Sequence, residues 1–291
     1  MTQTVALIKK YFHFESQEWK PFIIYGLTYS VLILIIPLAV QLVVNQIALS
    51  GLKLSLITIV VIISAALFLA QLVRYAQIIL LEYLQRKFKY WTLPIWNEAK
   101  NLDDKYKYYY FELASVQKKM GSWCFDGFEL TLSLLVGLVT LGFYHPFFLL
   151  MSLLTIASLY IIYKLGNNAI QTSYDESTSK YEIFYKISGN LDTTEKLDDY
   201  FSHREAHFKV IKRQTKFIMW SQFVGQILLL FGGALLVDMN QLSIGQFVAA
   251  ELIYSTIFYS FTKAPKFLEN HYDLVTSLKK IDSIKRKETY E

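Results

Sequence analysis

LTLSLLVGLVTLGFYHPFFLLMSLLTIASLYIIY, residues 130–163, runs for 34 positions without a charged side chain. A bilayer core about 30 Å thick takes roughly 20 residues of apolar helix. One crossing is too short to use the whole stretch, and His145-Pro146 interrupts it near the middle. Two antiparallel helices joined by a tight turn at His145-Pro146 fit it. Outward from this pair, the same test finds uncharged spans at Phe22–Val44, Leu54–Val73 and Phe217–Val237. A sixth, Gln241–Thr262, holds one internal charge, Glu251. The expected fold is therefore an all-α membrane protein of six transmembrane helices.

Charge orients it. With the amino end inside, the outer loops are only Asn45–Lys53, the His145-Pro146 turn and Asp238–Asn240. Of the 29 Lys and Arg, only Lys53 then lies outside. Basic residues flanking a span resist translocation, so both termini are expected in the cytosol. The inverse arrangement would put both large basic loops outside. The net charge of +5 then sits where anionic headgroups are, which removes the need for nucleic acid as a partner. The single cysteine, Cys124, has no internal disulfide partner. The first apolar run is far longer than a signal-peptide core, so it reads as an anchor.

The two inner loops are long, about 74–129 and 164–216, with residues 1–21 and 263–291 also inside. Neither loop reads as a flexible linker. Leu84, Phe88, Trp91, Ile95, Ala99 and Leu102 recur at the steps of a packed helix. So do Leu197, Phe201, Arg204, Phe208, Ile211, Thr215 and Ile218, which lead into the fifth span. Tyr174, Tyr181, Phe184 and Ser188 extend the fourth span downward. The transmembrane helices are thus expected to continue into the cytosol as stalks, with Pro94 interrupting the second. The stalks turn at Asp103–Phe111 and at Ser188–Tyr200. Ser188-Gly189-Asn190 reads as a stop, and Asp192 with Glu195 as a capping-box start. Such tips are either solvated turns or docking points.

Several stretches resemble the transmembrane domain of ABC exporters. They are Ile36-Pro37-Leu38-Ala39-Val40-Gln41 in the first span, Leu81–Arg86 leaving the second, and Glu176–Tyr181 with Tyr200–Phe208 in the second stalk. Leu242-Ser243-Ile244-Gly245-Gln246-Phe247-Val248-Ala249-Ala250-Glu251 is similar to the sixth-helix entry of peptide and protein exporters related to type 1 secretion, and Tyr272–Ile281 to the exit from that helix. The resemblance covers nearly the whole chain. It implies a homodimer or heterodimer of twelve helices in a bacterial inner membrane. It also implies stalk tips seated on ATP-binding domains: Asp104, Lys105, Tyr106, Tyr108, Tyr109 and Tyr110 at the first tip, and Asp192, Glu195 and Lys196 at the second. ATP-driven closure would then rock the bundle between inward and outward access. The chain departs from the family in containing no G-x-x-x-x-G-K-[ST] phosphate loop and no peptidase domain before the first span. Its second tip is also short. ATP and Mg would be held by a separate ATPase, with no cofactor on this chain.

Within the spans, Glu251 lies near mid-bilayer, where a carboxylate is costly and faces protein or a wet cavity. Together with Gln222 and Gln226 it is a candidate for the substrate pathway. The competing role for all three, and for Gln71, is interhelical hydrogen bonding. His203 and His207 are spaced i, i+4 around Glu205, but no third ligand accompanies them and no metal site is assigned. No catalytic nucleophile or triad stands out. Two other classes remain open: a gradient-driven carrier, which commonly shows internal repeats, and a non-transporting scaffold derived from an exporter.

Overall fold

The computed structural model describes residues 16–49, 53–98, 110–189 and 191–288. Within them the chain is helical: α1 (Ser16–Ile33), α2 (Ile35–Leu49), α3 (Lys53–Glu98), α4 (Tyr110–Tyr144), α5 (Pro146–Leu165), α6 (Ala169–Ser188), α7 (Thr194–Asp238) and α8 (Ile244–Glu288). Five segments are long and apolar enough to cross a membrane: Lys20–Gln46, Ile57–Lys87, Lys118–Tyr144, Pro146–Leu165 and the helix Thr194–Asp238. The chain is an all-α, multi-pass membrane protein. The sixth expected span lies on α8, which is not among the five. Its apolar part is diluted by Glu251, Ser255, Thr256, Ser260 and Thr262.

Each break has a local cause. Pro37 has no N–H to give the carbonyl of Ile33, and its ring crowds that group. The first span therefore turns at Leu34, whose N–H reaches Val31 O at 3.2 Å. At the α4–α5 turn His145 is extended, with its Nδ1 accepting from Phe147 N–H at 3.2 Å, and Pro146 opens α5. The fourth helix, expected to be continuous, breaks between Leu165 and Ala169. Asn240, with φ 57°, reverses the chain between α7 and α8. α3 continues through Pro94 to Glu98 as helix.

α3, α7 and α8 have 46, 45 and 45 residues. Each is about 68 Å long, more than twice the thickness of a bilayer core. α8 is the axis. It runs antiparallel to α4 and α7 and packs also on α2 and α6. It supplies Ala250, Ile253, Tyr254, Ile257 and Phe261 to one apolar core, shared with Leu138, Leu141, Phe148, Met151 and Leu229. It supplies Leu274, Leu278 and Ile281 to a second, shared with Phe22, Leu84, Val116 and Met120. Much of α8 faces protein and not lipid, which suits the polar Glu251, Ser255 and Ser260, while Thr256, Tyr259 and Thr262 stay exposed.

Candidate functional site

α7 and α8 meet along polar side chains at membrane depth. Gln226 Nε2 donates to Glu251 Oε1 at 3.0 Å, and Ser255 Oγ donates to the same oxygen at 2.8 Å. Gln222 is buried and gives its amide to Phe258 O at 3.0 Å. The three candidate pathway residues thus share one helix interface, and all are engaged in hydrogen bonds across it or along it. A cavity of about 320 Å³ opens between α5, α7 and α8. Thr155, Ser158, Ser221, Gln222 and Tyr254 give it a few polar groups among Met151, Leu228, Ile257 and Phe261. Gln222 lines this cavity; Glu251 and Gln226 do not. Gln71 is exposed on α3.

The break between α5 and α6 is braced by its neighbours. It frees the carbonyls of Ile162 and Leu165 from helical bonding. Gln214 Nε2 takes the first at 3.0 Å, and Arg213 Nη2 takes the second at 2.6 Å. Gln214 Nε2 also donates to Tyr272 Oη on α8 at 2.7 Å. Gly166 is required here, because a Cβ would collide with Tyr272 Oη and Gln214 Nε2.

Below the break lies a polar cluster that the sequence reading did not single out. Lys280 on α8 is fully buried. Its Nζ donates to Ser177 Oγ at 2.6 Å, stands 4.0 Å from Glu112 Oε1 and lies 4.5 Å over the ring of Tyr181. Ser177 Oγ donates to Glu112 Oε1 at 2.9 Å, and Ser277 Oγ to Glu112 Oε2. Helices α4, α6 and α8 are thereby joined through one carboxylate. Beside it, Ser173 Oγ donates to Asp273 Oδ1 at 3.0 Å, and Lys119 Nζ lies 3.7 Å from Asp273 Oδ2. A polar cavity of about 90 Å³ sits among these groups. In the sequence, Glu112 and Lys280 look like ordinary charges of basic loops. The available signal is the i, i+4 run Ser173, Ser177, Tyr181 on α6, a small polar stripe that only a polar partner helix would satisfy.

α6 and α7 are linked by a second network. Glu176 accepts from Arg204 Nη1 at 2.8 Å and pairs with His207 Nδ1 at 2.6 Å. Arg204 Nη2 lies 3.9 Å from Glu269 on α8. Burial alone would raise the Glu176 carboxyl, but the hydrogen bonds and charges of His207 and Arg204 outweigh it and hold the group below its ordinary value near 4.5. The resulting stabilisation is full above that value and is lost as pH falls through the lower folded-state value. Glu176→Gln is therefore expected to flatten the loss of thermal stability on acidification below about pH 4.5, read as Tm against pH in detergent. An unaltered acid limb would remove Glu176 as its source. His203 Nε2 faces Asp199 at 3.4 Å, so the two histidines serve different partners. Among the described residues no group of three or more His, Cys, Asp or Glu is placed to hold a metal ion.

Of the first stalk tip, expected at Asp103–Phe111, Asp104, Lys105, Tyr106, Tyr108 and Tyr109 lie outside the described residues. Tyr110 opens α4, with its side chain likewise outside them. The second tip is a plain helical hairpin between Ser188 and Thr194. Asp192 Oδ1 accepts from Thr194 N at 3.0 Å and from Thr194 Oγ1 at 2.8 Å. The Thr194 backbone and hydroxyl hold the Asp192 carboxyl below its usual range. This is an Asx turn reaching two residues on, in place of the reciprocal capping box expected with Glu195. Glu195 is exposed, and Lys196 Nζ bridges to Glu182 Oε2 on α6 at 3.0 Å, fastening the hairpin. Leu191, Ile187 and Leu197 are exposed around it.

No protein-family model matches the chain, and no curated protein matches it.

Proposed function

We propose that this chain is the membrane-spanning subunit of an ABC-type exporter, driven by a separate ATPase that carries ATP and Mg. On this reading α8 supplies the sixth crossing, sheltered from lipid by α2, α4 and α7. The observation that carries the proposal is the length of α3, α7 and α8. Helices more than twice the bilayer thickness, with α8 packed on α7 and α3 packed on α4, suit the transmission of motion between the membrane and a cytosolic motor. A solvated turn alone would not need such stalks. Asp104, Lys105, Tyr106, Tyr108, Tyr109 and Tyr110 at one tip, and Asp192, Glu195 and Lys196 at the other, are the proposed contacts with the ATPase. The 320 Å³ cavity, with Gln222 on its wall and the Gln226–Glu251 pair behind it, is the proposed pathway. Its apolar walls with scattered hydroxyls and amides suit peptide-like or amphipathic cargo.

The test is copurification. The tagged chain is extracted from its native membrane in mild detergent and its companions are assayed for ATP hydrolysis. A stoichiometric, vanadate-sensitive ATPase supports the split exporter. Recovery of the chain alone, with transport dependent on an ion gradient or absent, overturns it. In the reconstituted complex, replacing Tyr108, Tyr109 and Tyr110 together by alanine is expected to abolish coupling, lowering transport-stimulated ATPase activity about tenfold or more, as loss of a buried aromatic anchor does. Insertion should be unaffected. Unchanged stimulation would remove the first tip from the coupling path.

A further inference from the structure

We propose that α7 carries a binding site for an anionic phospholipid, built from Lys212, Lys216 and Trp220. This rests on the membrane-spanning character of α7 and not on the transport reading. The three residues recur at i, i+4 and i+8 and therefore share one face of the helix. That face is open. Trp220 and Phe223 are 58% and 56% exposed, and a shallow cavity of about 580 Å³ runs along it from Phe208 past Ile211 and Met219 to Phe223.

Charge points to the occupant. No acidic residue occurs between Ala206 and Val237. Among the described residues neither Lys212 nor Lys216 is ion-paired, whereas Lys209, on a neighbouring turn, is bonded to Glu205 at 2.9 Å. The indole N–H of Trp220 also has no acceptor among the described residues. The order along the axis is two ammonium groups, then an amphipathic indole, then the Phe223 ring. It spans about 16 Å from Lys212 to Phe223. A phospholipid presents the same order from headgroup to tail: phosphate, ester region, acyl chain. Lys216 immediately precedes the apolar segment Phe217–Val237, so its ammonium group lies at headgroup level, where basic side chains meet anionic lipid. Trp220, one turn further in, is at the depth where indoles anchor. A second copy of the chain would have to bury two uncompensated lysines there, which argues against that occupant.

The full chain is purified in detergent, and native mass spectrometry follows retention of added phosphatidylglycerol against phosphatidylcholine. Phosphatidylglycerol is expected to bind about 25-fold more tightly, from roughly fivefold for each of the two lysines. The preference should vanish in Lys212→Ala/Lys216→Ala and persist in Lys212→Arg/Lys216→Arg, which also shows that the face folds normally. Equal retention of both lipids, or an undiminished preference in the double alanine variant, overturns the proposal. So does stoichiometric disulfide crosslinking of Trp220→Cys between copies in a Cys124→Ser background, which would place a second copy on this face.

Discussion

Lys280→Ala is expected to lower the stability of this protein by about 3–5 kcal/mol, the usual cost of removing one partner from a buried ion pair. The lysine is fully buried, so its loss cannot be compensated by water. Glu112 would stay among α4, α6 and α8 with only the hydroxyls of Ser177 and Ser277 to face its charge. The cavity left by the lysine stem would also strip packing from Tyr181. Unfolding followed in detergent by near-ultraviolet circular dichroism measures the effect. Lys209→Ala, which breaks an exposed pair with Glu205, is the control and should shift stability by less than about 1 kcal/mol. Lys280→Met combined with Glu112→Leu should recover part of the loss, because neither partner of the pair then leaves a charge buried. Equal shifts for Lys280→Ala and Lys209→Ala would show that the cluster does not hold the stalks together.

Gln214→Leu is the second large effect, about 2–3 kcal/mol, since it orphans two buried groups at roughly 1–3 kcal/mol each. Those groups are the carbonyl of Ile162 and the hydroxyl of Tyr272. One loses the amide that stands in for a missing helical N–H, and the other loses its tie to α7. Some of the cost is offset, because the Gln214 Oε1 atom is buried without a partner and disappears with the substitution. The change should also loosen the joint between α5 and α6. Spin labels placed on exposed positions of the two helices, such as Ile156 and Lys180, should report a broader distance distribution in the variant. A stability change below about 0.5 kcal/mol, within the range of ordinary surface substitutions, with an unaltered distribution, would mean that the brace is idle.

Much of the architecture is legible in the residues. Uncharged runs give the five apolar spans, His145-Pro146 gives the turn between α4 and α5, and the helical steps that follow the spans fall on helix among the described residues. Two things resisted. Pro37, within the first span, and the Gly166-Asn167-Asn168 stretch, just below the fourth, lie where continuous helix is expected, yet each interrupts one, because backbone hydrogen bonding is decided by the carbonyl four residues earlier and by side chains from other helices. The packed face of α7 was also misplaced. Of the expected stripe, Leu197, Phe201 and Phe208 are exposed and Ile218 is buried, while His207, Gln214 and Gln222, outside the stripe, are buried. Apolar periodicity assumes that the buried side is the apolar one. In a stalk held by polar networks, and in a span whose outer face meets lipid, that assumption inverts. The same inversion hid Glu112 and Lys280, whereas Glu251, isolated in an apolar run, stood out immediately.

The central place of α8 bears on how the protein is made. Synthesis delivers α8 after every helix it holds together, and both apolar cores close only upon its arrival. Until then Leu84, Met120, Leu141 and Phe148 lack the α8 side of their cores. α8 itself is a poor candidate for independent entry into lipid, because Glu251 takes a hydrogen bond from Gln226 of α7. Assembly is thus pushed to the end of translation, where a chaperone of the insertion machinery has the most to protect.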